Sequence, residues 1–282
     1  MTSARPSSRR SPPEGPLWDG PLGEAPLAFV DLEMTGLDVT IDRVIEVCIE
    51  RWVGDRCVDK LCSLVRPDDG RFGNEAVHGI KAEDLTGAPT FAELSPEIER
   101  LLDGAVLVAH GASYDVAFFE LELARAARSF VIGPYLDTLT LSRRVFGFPS
   151  HALGALAKSL ELPVSGAHRA EADVLTLRLV FAKVVAQLKP ANLRDLWNVK
   201  VAARMARPDV LAALTAAIAE KQPVKVRYRP SGKAAADLVL VITMLRSDLD
   251  PPHVLGYLLP GRGRRELRAD RILSVTPAET PS

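Results

Sequence analysis

Residues 29–37 read FVDLEMTGL, a run in which two carboxylates, Asp31 and Glu33, interrupt an otherwise apolar strand pattern. A charge inside a buried strand is costly unless something pairs with it. Strand side chains alternate between faces, so Asp31 and Glu33 project together while Leu32 points into the opposite layer. Two adjacent carboxylates repel, and one is driven toward protonation unless a cation joins them. Two readings of this stretch stay open: a strand end whose acids face water, or a site for a hard divalent ion such as Mg²⁺ or Mn²⁺, which takes oxygen ligands. Gly36, just beyond, permits a tight turn close to the acids.

Around this strand the pattern alternates. RVIEVCIERWV (43–53) and CVDKLCSLVRP (57–67) read as strands, and AVLVAH (105–110) as a short buried one. TFAELSPEIERLLDG, YDVAFFELELARAA, HALGALAKSLEL and EADVLTLRLVFAKVVAQL carry apolar residues at helical spacing. Strands in meander followed by strands interleaved with helices predict an α/β fold, a mixed sheet flanked by helices. KPANLRDLWNVKVAARMARPD (189–209) follows as a linker with some helix, punctuated by Pro190 and Pro208. Beyond it come one helix, VLAALTAAIAEKQ, and four short β-runs, PVKVRYRP, DLVLVITML, HVLGYLLP and RELRADRILSV, separated by turn residues. The expected organisation is a disordered tail over 1–26, a large domain over 27–188, a linker over 189–208, and a small β domain over 209–278.

The chain of 282 residues is 47% hydrophobic and 25% charged, ordinary values for a globular protein with a sizeable core. Its apolar runs are too short to span a bilayer, which argues against a membrane protein. The opening MTSARPSSRRSPPEGP is broken by prolines and suits a tail better than the amphipathic helix of a transit peptide. Cys48, Cys57 and Cys62 show no CxxC spacing, so neither a disulfide framework nor a zinc site is suggested, and a reducing cytoplasm is expected. The net charge of −1 hides an asymmetry: residues 27–188 hold 16 basic and 24 acidic side chains, residues 189–282 hold 16 and 9. A basic back end is a reason to expect a nucleic-acid partner there.

Two further segments carry chemistry. In VLVAHGASYDVAFF a buried strand runs into a small-residue turn, and Asp115 falls near the start of the next helix. An acid there also serves as a cap or a first-turn charge. In GAHRAEADVLTL, His168 and Asp173 are five residues apart, about 140° around a continuous helix. They can share a site only if His168 sits on the loop and Asp173 inside the helix.

Asp31-x-Glu33, Asp115 and His168-x4-Asp173, taken in order, closely resemble the DEDDh 3′–5′ exonuclease family, which includes the proofreading epsilon subunits of bacterial DNA polymerase. VHGIKAEDLTGAPTFAEL is similar to that family's stretch between its first and second motifs. The resemblance implies a ribonuclease H-like fold in which Asp31, Glu33, Asp115 and Asp173 hold two Mg²⁺ or Mn²⁺ ions about 4 Å apart, suited to in-line phosphoryl displacement. It implies that His168 is the general base on the attacking water and that nucleoside 5′-monophosphates leave from a single-stranded DNA or RNA 3′ end. By the same resemblance Met34, Thr35, His78, His110 and Tyr114 line a pocket for the terminal nucleotide, and a polymerase or repair partner is expected. Two positions depart from the family pattern. Gly111 stands where the second motif usually has Asn, and Met34, where proofreading members usually have Thr, is more similar to the oligoribonuclease branch.

The back end, VKVRYRP with HVLGYLLPGRGRRELRADRILSV, resembles the WYL domain, a small β-barrel-like module, although the naming triplet is replaced by PHV at 252–254. Arg262, Arg264, Arg265, Arg268 and Arg271 form a basic cluster near Tyr228 and Tyr257, chemistry that suits phosphates and stacked bases of a single strand. The leading expectation is a metal-dependent 3′–5′ exonuclease on single-stranded DNA. The alternatives are an exoribonuclease on short RNA and a non-catalytic regulator that binds nucleic acid or senses a ligand.

Overall fold

A computed structural model describes residues 13–163, 168–201, 206–230, 234–247, 251–261 and 263–278. By internal packing the chain divides into two compact units, Met1–Lys200 and Val201–Ser282. In chain order the first contains α1 (Pro16–Asp19), β1 (Pro26–Met34), β2 (Val44–Val53), β3 (Arg56–Leu64), α2 (Glu75–His78), α3 (Phe91–Leu102), β4 (Val106–Ala109), α4 (Ser113–Arg125), β5 (Leu136–Asp137), α5 (Thr138–Val145), α6 (Leu153–Ser159), α7 (Ala170–Leu188) and α8 (Leu193–Val201).

Its sheet has the order β3-β2-β1-β4-β5, antiparallel across the first three strands and parallel from β1 to β4 and β4 to β5. This is the ribonuclease H-like mixed sheet, with β1 at its centre. Alternation divides β1 between two cores. Ala28, Val30 and Leu32 pack with Phe91, Ile98, Leu101, Phe118 and Phe119 of α3 and α4. Leu27 and Phe29 pack on the other face with Val174, Leu177 and Phe181 of α7. Asp31 and Glu33 continue this second row, so the charges lie where α7 begins.

Several elements differ from the sequence expectation. Residues 13–26, placed in the expected tail, fold onto the first unit: Trp18 is buried and meets Trp197 of α8 edge-on at 5.6 Å. Leu193 and Leu196, expected in a linker, are fully buried in the same core. Residues 1–12 lie outside the described residues. Cys48 and Cys62 stand directly opposite each other on β2 and β3 and form a disulfide, because strand pairing joins positions that spacing along the chain does not.

The second unit holds α9 (Pro208–Glu220) and β6 (Pro223–Tyr228), β7 (Ala236–Arg246), β8 (His253–Leu258), β9 (Arg264–Arg268) and β10 (Ile272–Pro277). They form an antiparallel sheet of order β10-β6-β7-β8-β9, over which Val210, Leu214 and Ala217 of α9 pack on Val226, Leu240, Ile242 and Val254. The run RELRADRILSV, read as one strand, is two. A single turn of 3-10 helix at Ala269–Arg271, anchored by the fully buried Ala269, sends the chain from the β8 edge to the β6 edge.

Candidate active site

Asp173, Leu177 and Phe181 recur every fourth residue on α7 and form one stripe. Phe181 meets Phe29 of β1 edge-on at 5.4 Å. Four helical residues rise about 6 Å and two strand residues about 6.7 Å, so the stripe and the row Leu27-Phe29-Asp31 stay in step. Counted from the Phe181–Phe29 contact, the apolar matching sets Leu177 at the level of Asp31 and brings Asp173 alongside Glu33, one step beyond. Carboxylate oxygens of Asp31, Glu33 and Asp173 all lie within 4.8 Å of one another.

Asp115 approaches from the opposite layer. It is buried in the first turn of α4, 7% exposed, with the Leu32 backbone offsetting a small part of the effect of that burial. Burial first, then the charges of Asp115, Asp173, Glu33 and Glu46, hold the Asp31 carboxyl well above its ordinary range. Burial, followed by Asp173 and Glu46, pushes Glu33 up to about 7. Burial likewise raises Asp115 to about 7, with Asp137 adding to the effect. Asp173 is raised by burial as well. Three acids that each resist ionisation within 4.8 Å of one another, with Asp115 acting on Asp31 beside them, form a set of hard oxygens with excess negative charge. That chemistry suits a divalent cation, which Asp31, Glu33 and Asp173 could hold.

His168 is exposed at the rim of this cluster with φ of 65°, left-handed backbone that a non-glycine residue adopts at a cost. Its N–H donates to Asp173 Oδ2 at 3.0 Å, and its charge helps to lower the Asp173 carboxyl against the effect of burial.

The turn into α4 is fixed from β5. Gly111, with φ of 83°, donates its N–H to Asp137 Oδ1 at 2.8 Å, and the same carboxylate caps α5 through the Leu139 N–H at 3.1 Å. A carboxylate from a neighbouring strand thus holds the turn where the family pattern has an Asn side chain. Beside it, His110 donates from Nε2 to the His151 carbonyl at 2.8 Å and turns Nδ1 to the Thr138 hydroxyl at 2.9 Å. Burial pushes the His110 imidazole down.

Comparison with known protein families matches residues 28–181, more than half of the chain, to the RNase T exonuclease family. The chain belongs to that exonuclease family. The DNA polymerase III subunit epsilon of Aquifex aeolicus is 31% identical over 163 residues, covering 56% of this chain and 80% of that protein. The 3′–5′ exonuclease DinG of Staphylococcus epidermidis is 31% identical over 166 residues, 58% of this chain but 18% of that protein, so the chain spans less than a fifth of that relative's length. E. coli exonuclease I in complex with a dT13 oligonucleotide shares the fold at a TM-score of 0.57, with 15% identity over 83% of this chain and 55% of that one.

Within the exonuclease domain, three of the five expected pocket residues come together at the end of β1. Asn74 Nδ2 donates to the Met34 carbonyl at 3.5 Å, and Gly73 packs so closely on the Thr35 carbonyl that any side chain at 73 would collide with it. His78 closes the same loop, donating from Nε2 to the Gly73 carbonyl at 2.9 Å and accepting the Ile80 N–H on Nδ1 at 3.0 Å. Both of its ring nitrogens are therefore engaged by backbone. Thr35 is buried, and its hydroxyl donates to Asp42 at 2.9 Å while accepting the Arg43 N–H at 3.1 Å. A Cβ at Gly36 would displace the Asp42 carboxylate that folds over it and bonds Thr35 and the Asp38 N–H. Tyr114 is 53% exposed beside Asp115, and His110 sits behind the turn. In the second unit, Arg264 and Arg265 are exposed on β9, Arg268 forks onto Asp270 with two 3.0 Å bonds, and Arg271 is half-buried. Arg262 lies outside the described residues.

Three residues of the site were not singled out from the sequence: Glu46, Arg169 and Asp137. Glu46 offered the same signal as Asp31, an acid in the apolar run VIEVCIE. Asp137 offered an N-cap signal, Asp-Thr before a helical pattern. No helix among the described residues is long and apolar enough to cross a membrane.

Proposed function

We propose that the exonuclease domain is a DEDDh-type, metal-dependent 3′–5′ exonuclease that releases nucleoside 5′-monophosphates from single-stranded DNA ends. The observation that carries this reading is the convergence of Asp31, Glu33 and Asp173 within 4.8 Å, with buried Asp115 acting on Asp31 from the other layer and His168 bonded to Asp173 at the rim. Asp31, Glu33, Asp115 and Asp173 would hold two Mg²⁺ or Mn²⁺ ions, which when bound would supply the positive charge that in-line phosphoryl displacement needs. His168, on the exposed side, takes the proton of the attacking water and passes it to solvent. Met34 and Thr35, with His78 behind them, form the floor on which the terminal nucleotide rests, and Tyr114 offers an aromatic face for its base. His110 and Asp137 hold the turn that delivers Asp115.

DNA is the favoured sugar because the relatives reported above include a DNA polymerase III subunit, and the same likeness supports a polymerase or repair partner. Met34 favours the second reading, an exoribonuclease on short RNA. The second unit, read as a WYL-like module, offers Arg264 and Arg265 to a nucleic-acid backbone. Matched DNA and RNA oligonucleotides labelled at either end, incubated with Mg²⁺ or Mn²⁺, test the proposal. Stepwise 3′ release that requires metal supports it, the faster sugar identifies the substrate, and binding without cleavage supports the regulator reading instead.

A further inference from the structure

Glu46 is buried on β2, 7% exposed, directly opposite Glu33. An unpaired carboxylate in that position bears both the cost of burial and the repulsion of Glu33. It is instead fully engaged. Both of its oxygens accept from Arg169 Nε at 3.2 Å, Oε1 accepts from Arg169 Nη2 at 2.8 Å, and Oε2 accepts the Ala170 N–H at 3.0 Å. A forked guanidinium contact fixes both distance and plane, and the Ala170 N–H is one of the groups left without a partner at a helix start. Glu46 therefore grips two consecutive residues, side chain and main chain, immediately after His168. His168 is held from its other side through its N–H on Asp173 Oδ2, and its left-handed backbone persists only where neighbours impose it.

We propose that Glu46 is a positioning residue for His168: from β2 it clamps Arg169 and the first N–H of α7, and so fixes the His168 backbone beside Asp173. The kinetic part of this proposal rests on the reading of His168 as general base, and the structural part does not. Exchange of the His168 backbone N–H in the metal-free protein, followed by NMR, reads the clamp directly. Glu46→Ala is expected to speed that exchange at least tenfold while Val30 and Val174 exchange as in the parent, and Glu46→Gln, which keeps one acceptor oxygen, falls between.

In the kinetic test, 3′-labelled single strands with saturating Mn²⁺ are the probe. Glu46→Ala is expected to lower kcat about 30-fold with KM little changed, within the range for residues that orient a ligand from behind. Glu46→Gln recovers part of the loss, and Glu46→Ala costs nothing further in a His168→Ala background. Unchanged His168 exchange in Glu46→Ala, or losses that multiply in the double variant, overturns the proposal. If the parent shows no 3′ release, the exonuclease reading fails and the exchange measurement alone decides the clamp. Should Glu46→Ala not fold, Glu46→Gln and Arg169→Lys carry both tests.

Discussion

Glu33 and Glu46 face each other across β1 and β2 on the same side of the sheet. Like charges so placed are destabilising, and the protein separates their roles. Glu46 turns to Arg169 and the start of α7, whereas Glu33 remains with Asp31 and Asp173 in a cluster where the charges of Arg169 and His168 offset burial and repulsion only in part. The repulsion left in that cluster is what a divalent cation relieves, and it makes stability depend on pH and on metal.

The sign follows from Glu33, raised to about 7 by burial, Asp173 and Glu46. A carboxyl group with a raised value in the fold binds its proton more tightly there than in the unfolded chain. Its contribution is fully present below about 4.5 and is lost as pH rises through about 7. In EDTA, the Tm of the parent is expected to fall relative to Glu33→Gln between these values. Mn²⁺, which binds the ionised form, is expected to raise the parent Tm more at pH 8 than at pH 5. Thermal melts of both proteins with and without metal check this, and an equal metal shift at both pH values contradicts it.

Asp31→Asn removes one ligand and one repelling charge together. Cleavage is expected to fall by roughly a thousandfold, equivalent to about 4 kcal/mol of transition-state stabilisation. The metal-free protein is expected to melt no lower than the parent. Single-turnover rates and melts on the same preparation test both halves, and a large loss of Tm would point to a structural role for Asp31.

Arg43 is a purely structural ion pair. Its guanidinium, 7% exposed, forks onto Glu122, 2% exposed, at 2.7 and 2.9 Å, and Arg125 joins Glu122 while bonding the Thr40 and Asp42 carbonyls. This ties the loop after β1 to α4. Breaking a buried pair leaves an uncompensated charge, so Glu122→Ala is expected to destabilise by about 3 kcal/mol in urea unfolding. A change below about 1 kcal/mol would contradict the reading.

Much of this arrangement was legible in the sequence, for physical reasons. Asp31 and Glu33 stood out because charges in an apolar run need an explanation, and the strand period put them on one face. Helical spacing put Asp173 inside α7, and the resemblance of His168-x4-Asp173 to the exonuclease motif tied it to the site. What escaped depended on contacts between distant segments. β5 is two residues long and has no period to read, so Asp137 went unnoticed although it holds the Gly111 turn. Glu46 carried the same signal as Asp31, but its partner, Arg169, is 123 residues away. Trp18 lies in a proline-rich segment whose composition suggests disorder, and it packs into a core shared with Trp197, Leu193 and Leu196 from the far end of the domain. In the second unit the β-run 265–275 contains no glycine or proline, so the turn at Ala269–Arg271 had no punctuation.

The exposed pair Arg264 and Arg265 bears on the second unit. If this strand meets a nucleic-acid backbone, the double variant Arg264→Glu/Arg265→Glu weakens single-strand binding at low salt and lowers the slope of log affinity against log salt by about 1.4, or about 0.7 per phosphate contact. Fluorescence anisotropy across a salt series measures it. An unchanged slope assigns these arginines to a solvated surface.

The central claim is that four acids and His168 make a metal-dependent 3′ exonuclease, and its most direct test is end-labelled cleavage. Parent protein and Asp173→Ala are incubated with 3′-labelled and 5′-labelled single strands in Mn²⁺ and in EDTA. The account predicts that the parent in Mn²⁺ releases the 3′ label as mononucleotide and shortens the 5′-labelled strand one residue at a time, with neither product in EDTA nor from Asp173→Ala. Activity that survives Asp173→Ala, or label released from the 5′ end, would contradict it.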